Sequence, residues 1–185
     1  REPVLTLAKT FSVAQVDAAD LPRVTVTATN VGTAAAYNLR ILDDLSAVAL
    51  SYAGDIAGAI PPVVDLVSFG ADRPLFRWSP DAPLAPGETR SFSFAVRVGG
   101  SVEPHQILSN TIQADWTSLP GVGTALNSSG VIGASGTATG MRIGALPNAG
   151  DPLNDYEVAA SATTQVPPLV LEKLELDPAQ VAAIG

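Results

Sequence analysis

The stretch Leu5-Thr6-Leu7-Ala8-Lys9-Thr10 places a lysine in step with two leucines. Residues spaced by two share one face of a β-strand, so a strand that buries Leu5 and Leu7 also buries Lys9. A buried cation needs an anionic partner, loses its proton, or reacts. The stretch therefore predicts a strand with Lys9 on its core face, where the lysine must be paired, neutral or covalently bonded.

The same pattern returns near the C-terminus as Leu169-Val170-Leu171-Glu172-Lys173-Leu174. Its first two leucines and its lysine again share one face of a strand. A strand motif that recurs after about one domain length indicates a tandem array, and hence part of a longer protein. We expect residues 1–166 to form one repeat, Pro167-Pro168 to be a stiff linker, and residues 169–185 to begin the next repeat.

The composition favours strands and argues against several classes of partner. The 185 residues include 16 Gly and 15 Pro, and 46% are hydrophobic, which suits a packed chain of short strands and turns. The net charge of −8 disfavours binding to nucleic acid or to anionic lipid. No apolar run is long enough to cross a bilayer, and the absence of cysteine excludes disulfides and thiolate chemistry. We therefore predict no nucleic-acid partner and no membrane insertion.

Alternation of apolar and polar residues predicts about seven short strands. The clearest is 90–98, in which Phe92, Phe94, Val96 and Val98 share the buried face. The other predicted strands are residues 4–11, 23–29, 37–43, 75–78, 107–117 and 156–166. Short strands separated by Gly and Pro turns, with almost no helical pattern, predict an all-β antiparallel sandwich.

Two long stretches lack this alternation. Residues 46–74 are less regular, and within them the run 53–64, rich in Ala, Gly and Ile, is compatible with a loop or a short helical turn. Residues 119–152 consist mainly of Gly, Ser, Thr, Ala and Asn. That composition predicts a long insertion or extended hairpin before the last strand.

Five short motifs occur in a fixed order along residues 4–118. They are Leu7-Ala8-Lys9, Thr29-Asn30-Val31-Gly32, Leu42-Asp43, Leu84-Ala85-Pro86-Gly87-Glu88 and Asn110-Thr111. This ordered set resembles the DUF11-type Ig-like tandem repeats of bacterial surface proteins. The resemblance implies an Ig-like β-sandwich at the cell surface or outside the cell, with a structural role and no enzymatic activity. It also implies neighbouring repeats of the same chain as partners.

Three polar residues fall on the predicted core faces: Lys9, Asp43 and Asn110. Sandwich repeats of surface proteins similar to this one sometimes join a strand Lys to an Asn or Asp side chain by an intramolecular isopeptide bond. Burial favours a neutral amine, which is a nucleophile, and a protonated acid, which activates a carboxamide. We therefore assign Lys9 as nucleophile, Asn110 as acceptor and Asp43 as catalyst. Asp44 is the reserve catalyst if the strand register is shifted by one residue.

Two non-covalent interpretations of the same residues stay open at this point. In the first, Lys9 is charged and held by Asp43, while Asn110 satisfies a remaining lone pair. In the second, Lys9 extends to solvent at the edge of the sheet. Neither interpretation involves loss of atoms, whereas isopeptide formation releases ammonia.

Side-chain oxygens cluster in residues 148–157, where Asp151, Asn154 and Asp155 are candidate calcium ligands. The spacing is not that of an EF-hand, and the same residue types are common in solvated turns, which is the alternative interpretation. No other cofactor is predicted. The single histidine, His105, together with the lack of cysteine, argues against a zinc site.

The sequence as a whole predicts a stalk or spacer repeat of a large bacterial cell-surface or secreted adhesin-like protein. The alternative is an adhesion module that binds an extracellular glycan or protein ligand through the insertion 119–152. No aromatic residue lies between Leu119 and Leu153, which favours the spacer because glycan sites commonly use aromatic platforms.

Overall fold

Nine β-strands and no helix make up the part of the chain that the computed structural model describes, residues 2–79, 81–120 and 156–170. The prediction of an all-β fold is confirmed. The strands are β1 (Leu5–Phe11), β2 (Arg23–Asn30), β3 (Tyr37–Asp44), β4 (Leu50–Gly58), β5 (Val63–Asp65), β6 (Leu75–Arg77), β7 (Thr89–Val98), β8 (Ile107–Thr117) and β9 (Glu157–Gln165).

The strands form two antiparallel sheets that pack face to face as a sandwich. One sheet has the strand order β1-β2-β7-β4, and the other has the order β5-β6-β3-β8-β9. In register, Lys9 lies opposite Val26 in the first sheet, and Asp43 lies opposite Ile112 in the second. Most neighbours are distant in sequence, so each sheet is completed only when remote parts of the chain come together.

Side chains from both sheets interlock in the core between them. Phe76 of β6 packs against Phe92 and Phe94 of β7, with ring centroids 4.8 and 4.7 Å apart. The predicted core face of β7 is buried throughout, including Arg90, whose guanidinium lies over the ring of Trp78. Alternation along most of β7 therefore separates core side chains from surface side chains, and Ala95 is the residue of the opposite face that is also buried.

Residues 46–74 contain β4 and β5, so the prediction of a loop or helical turn over residues 53–64 is wrong. The pairing of β4 with β7 shifts register on both sides of Gly54, and Gly54 and Asp55 both have positive φ, 85° and 56°. Such bulges break the period of two that identifies a strand in sequence. β5 has only three residues, and it follows directly on the run 53–62 that lacks alternation and ends in Pro61-Pro62.

The first and last strands lie side by side at one edge of the sandwich. Beyond β1 the chain crosses to the other sheet, where Gln15 forms a parallel bridge with Gln165. The N–H of Val16 donates to the carbonyl of Gln165 at 3.0 Å, and the N–H of Gln165 donates to the carbonyl of Ala14 at 3.1 Å. Because β1 and β9 run in the same direction, the chain enters and leaves this domain at opposite ends.

Most of the predicted insertion and of the predicted next repeat lie outside the described residues. Pro167 to Val170 continue beyond β9 without strand pairing, and Leu169 and Val170 are exposed. The domain boundaries at residues 166 and 169 and the tandem array stay predictions.

Candidate functional site

The structure brings Lys9, Asp43 and Asn110 together between the two sheets. Lys9 extends from β1 in the four-stranded sheet, while Asp43 on β3 and Asn110 on β8 belong to the facing sheet. The side chains of Lys9 and Asp43 have no exposed surface, and Asn110 is 1% exposed. We call these three residues the triad.

Each side chain reaches the triad because it is in step with aliphatic neighbours on its own strand. Lys9 follows the buried Leu5 by four residues, Asp43 follows the buried Ile41 by two, and Asn110 lies between the buried Leu108 and Ile112. The same pleat that buries the aliphatic side chains therefore aims the polar ones into the core.

Hydrogen bonds close the triad on itself. Nζ of Lys9 lies 2.9 Å from both carboxylate oxygens of Asp43 and also contacts Oδ1 of Asn110. Nδ2 of Asn110 donates to Oδ1 of Asp43 at 2.8 Å and to the backbone carbonyl of Asp44 at 2.9 Å. The lysine thus lies on the oxygen side of the carboxamide, and the aspartate contacts both of the other members.

Burial changes the ionisation of the two charged members. Loss of hydration lowers the pKa of Lys9, and the attraction and hydrogen bond of Asp43 oppose that shift only in part. Loss of hydration likewise raises the pKa of Asp43, against the opposing effects of Lys9 and Asn110. Both shifts favour a neutral amine beside a neutral carboxylic acid, which are the reactive forms for attack on a carboxamide.

Asp44, the reserve catalyst, points its side chain away from the triad. Its Oδ1 accepts the backbone N–H of Ser46 at 3.1 Å, and its Oδ2 lies 3.2 Å from Nε of Arg73. The carboxylate of Asp44 is 41% exposed. The strand register therefore places Asp43, and not Asp44, on the core face.

The two non-covalent interpretations differ in how well they match this geometry. Lys9 is fully shielded, so its side chain does not extend to solvent at the sheet edge. A charged Lys9 held by Asp43 and Asn110 is compatible with the same contacts, and the mass of the chain separates it from the covalent product.

The predicted calcium ligands Asp151, Asn154 and Asp155 lie outside the described residues, as does most of the insertion 119–152. Within residues 2–79, 81–120 and 156–170, no group of three or more His, Asp or Glu side chains could hold a metal ion. No helix in these ranges is long and apolar enough to cross a membrane. His105 lies in the turn before β8, with a positive φ of 65°.

The sequence did not reveal one contact of the site, the bond from Asn110 to the backbone carbonyl of Asp44. The amino-acid sequence does not indicate which backbone carbonyl accepts a hydrogen bond from a side chain. This acceptor could therefore be identified only from the structure. The aspartate pair Asp43-Asp44 at the end of β3 was the nearest available signal.

Comparison with known proteins supports the fold and leaves the family open. No family model matches the sequence, and no curated protein matches it. The fold is similar to that of the full-length major pilin SpaD from Corynebacterium diphtheriae, with 14% identity and a TM-score of 0.50 over 85% of this chain and 33% of that chain. BcpA, the major pilin subunit of Bacillus cereus, is similar with 10% identity and a TM-score of 0.52 over 89% of this chain and 40% of that chain.

These similarities define the class of fold to which the domain belongs. Two antiparallel sheets of four and five strands match an Ig-like sandwich of the kind found in the two pilins. The chain spans less than half the length of either pilin structure. No family model supports the narrower resemblance to DUF11 repeats.

Proposed function

We propose that this chain is a structural β-sandwich unit of a bacterial cell-surface protein, stiffened by an isopeptide bond between Lys9 and Asn110. The observation that carries the proposal is the buried triad, in which a nucleophile, a carboxamide and an acid from the two sheets are in contact with one another. A bond at this point would join the sheets covalently. The chain has no cysteine, so a disulfide is not available for that purpose.

The reaction balances within the triad. The neutral amine of Lys9 attacks Cγ of Asn110, so that an Nζ–Cγ bond forms. Asp43 donates its proton to the carboxamide and recovers one from Nζ, which leaves it unchanged overall. The Cγ–Nδ2 bond then breaks, and Nδ2 leaves as ammonia. Each molecule reacts once, so the product is a cross-link, and the chain is not an enzyme with turnover.

A structural role at the cell surface is supported by the kinds of protein that share the fold. SpaD and BcpA are both major pilins. This domain also has its chain entry and exit at opposite ends, an arrangement that suits units connected end to end. Neighbouring repeats of the same chain are the proposed partners, with Pro167-Pro168 as the stiff connection.

The mass of the intact, denatured chain tests the proposal. We expect the purified protein to be lighter than its sequence by one ammonia, and fragmentation to recover Lys9 and Asn110 in one branched peptide. Lys9→Met should restore the full calculated mass. The chain has one other lysine, Lys173, and Lys173→Met is the matched control that should keep the deficit. A full mass for the folded wild-type chain would end the covalent proposal.

A further inference from the structure

We infer that Asp44 is a positioning residue for the cross-linking reaction, because its backbone carbonyl orients the carboxamide of Asn110 and its side chain holds that carbonyl in place. The inference rests on the proposed isopeptide bond between Lys9 and Asn110. It gives a role to the aspartate that lies next to the catalyst but faces away from it.

The backbone carbonyl of Asp44 decides which end of the carboxamide faces the nucleophile. A carboxylic acid such as Asp43 can donate or accept a hydrogen bond, according to its protonation, whereas a backbone carbonyl only accepts. The group opposite the carbonyl of Asp44 must therefore be the NH₂ of Asn110, and the two atoms are 2.9 Å apart. A flipped carboxamide would set two acceptors against each other in a buried site, which is costly.

This orientation suits the chemistry of the triad. With Nδ2 held by Asp44 and by Asp43, the oxygen of the carboxamide turns toward Nζ of Lys9. The group that must leave as ammonia then contacts the acid that supplies its proton. Positioning of this kind contributes strongly to rate, since a misplacement of about 1 Å can cost about 100-fold.

The side chain of Asp44 holds its carbonyl by fixing the turn that follows β3. Oδ1 accepts hydrogen bonds from both the backbone N–H and the hydroxyl of Ser46, which closes an Asx turn. Oδ2 forms an ion pair with Arg73 at 3.2 Å. On the other side of the same turn, the N–H of Leu45 donates to the carbonyl of Asp72 at 2.9 Å.

The negative charge of Asp44 favours the cross-linking reaction, as its position does. The charged groups around the carboxyl of Asp43 are Lys9 on β1 and Asp44 on its own strand, and Arg73 lies against Asp44. Burial is the main cause of the raised pKa of Asp43, and the negative charge of Asp44 adds a smaller upward contribution. Asp43 is thereby favoured in the protonated form that the reaction needs.

Refolding kinetics of the full chain test the inference. Wild type, Asp44→Ala and Asp44→Asn are unfolded as freshly made, unreacted chains, diluted into folding buffer, and sampled over time for loss of ammonia by intact mass. We expect Asp44→Ala to react at least about tenfold more slowly than wild type. Asp44→Asn keeps an acceptor for the turn with Ser46 but loses the negative charge and the ion pair with Arg73, so its rate should lie between that of wild type and that of Asp44→Ala.

Asp65→Ala is the matched control. Asp65 also closes a turn with a serine, accepting hydrogen bonds from Val67 and Ser68, but it lies on β5 without contact to the triad. Its loss should lower stability without slowing the reaction of folded molecules. A wild-type rate for Asp44→Ala, or an Asp44→Asn variant as slow as Asp44→Ala, would overturn the positioning role. Failure of wild type to lose ammonia would instead overturn the isopeptide bond itself.

Discussion

Lys9 and Asp43 lie in the core without exposed side-chain surface, and the protonation state of each depends on the other. Removing one partner of a buried pair leaves an uncompensated charge, a change that typically costs 3–5 kcal/mol. In the reacted chain this dependence ends, because the lysine nitrogen becomes a neutral amide. The bond therefore removes a buried titratable amine as well as joining two strands.

The stability of Lys9→Met, in which Asp43 has lost its lysine partner, should depend on pH. Burial raises the pKa of Asp43 above its ordinary value of 3.8, and loss of the lysine removes the main opposing effect. An acid with a raised folded-state pKa binds its proton more tightly when folded, so stability falls as pH rises above 3.8. We expect the urea concentration at which half of Lys9→Met is unfolded to decrease as the pH is raised from about 4 to about 7.

The control for this pH dependence is Lys9→Met combined with Asp43→Asn. The double variant lacks the titrating group, so its midpoint should change less over the same range. Equal pH profiles for the single and double variants would show that Asp43 is not the group responsible.

At the scale of elements, Asn30 organises the connection from β2 to β3. Its buried Nδ2 donates to the carbonyls of Ala34 and Leu84, both at 2.8 Å, and its Oδ1 accepts the N–H of Gly32 at 3.0 Å. Two remote turns are thus tied to one side chain. The Asn-x-Gly part of the sequence motif has its physical cause here.

Asn30→Ala should lower the free energy of unfolding by about 1–3 kcal/mol, because buried backbone groups lose their partners. Equilibrium urea unfolding measures the change. Thr25→Ser, on the exposed face of the same strand, should stay within about 0.5 kcal/mol of wild type. A comparable loss of unfolding free energy in both variants would mean that any substitution in β2 destabilises the domain. The hydrogen bonds of Asn30 would then not explain the effect.

Gly32 in the same connection permits a close approach of the N-terminal segment. A Cβ at this position would overlap the backbone of Glu2 and Val4. Gly32→Ala should therefore destabilise the domain by about 1–3 kcal/mol, as overpacking does. Gly100→Ala is the matched control, since no atom lies within 4 Å of a Cβ built there. Thermal unfolding of both variants distinguishes a local clash from a general glycine effect.

At the scale of the whole molecule, the cross-link closes a long loop. Lys9 and Asn110 are 101 residues apart in sequence. In the chain-entropy description, closing a loop of about 100 residues stabilises a fold by about 4–5 kcal/mol. For a domain of this size, that corresponds to a rise in melting temperature of about 10–20 °C.

The comparison that measures this contribution is wild type against Lys9→Met combined with Asp43→Asn, which has neither the bond nor an unpaired buried charge. Scanning calorimetry should show the wild-type transition at the higher temperature. Equal melting temperatures, with the wild-type mass short by ammonia, would mean that the bond adds no thermodynamic stability.

The sequence predicted the strands that alternate strictly and missed those that do not. β7 keeps a period of two except at the buried Ala95, and β8 keeps it as far as Ala114, so most of their buried faces could be assigned from the sequence. β4 could not be found, because positive φ at Gly54 and Asp55 interrupts the alternation. The members of the candidate site were predictable for the same reason as β7: each polar residue continues an aliphatic series.

By itself, the sequence determined that this protein is a β-sandwich and that Lys9, Asp43 and Asn110 share strand faces with aliphatic residues, because side chains alternate between the two faces of a strand. The tertiary structure decided that the three meet. Their contact requires β3 and β8 to pair and β1 to lie across from them, and both conditions depend on long-range packing that local spacing does not encode. The carbonyl of Asp44 entered the site in the same way, through the geometry of a turn.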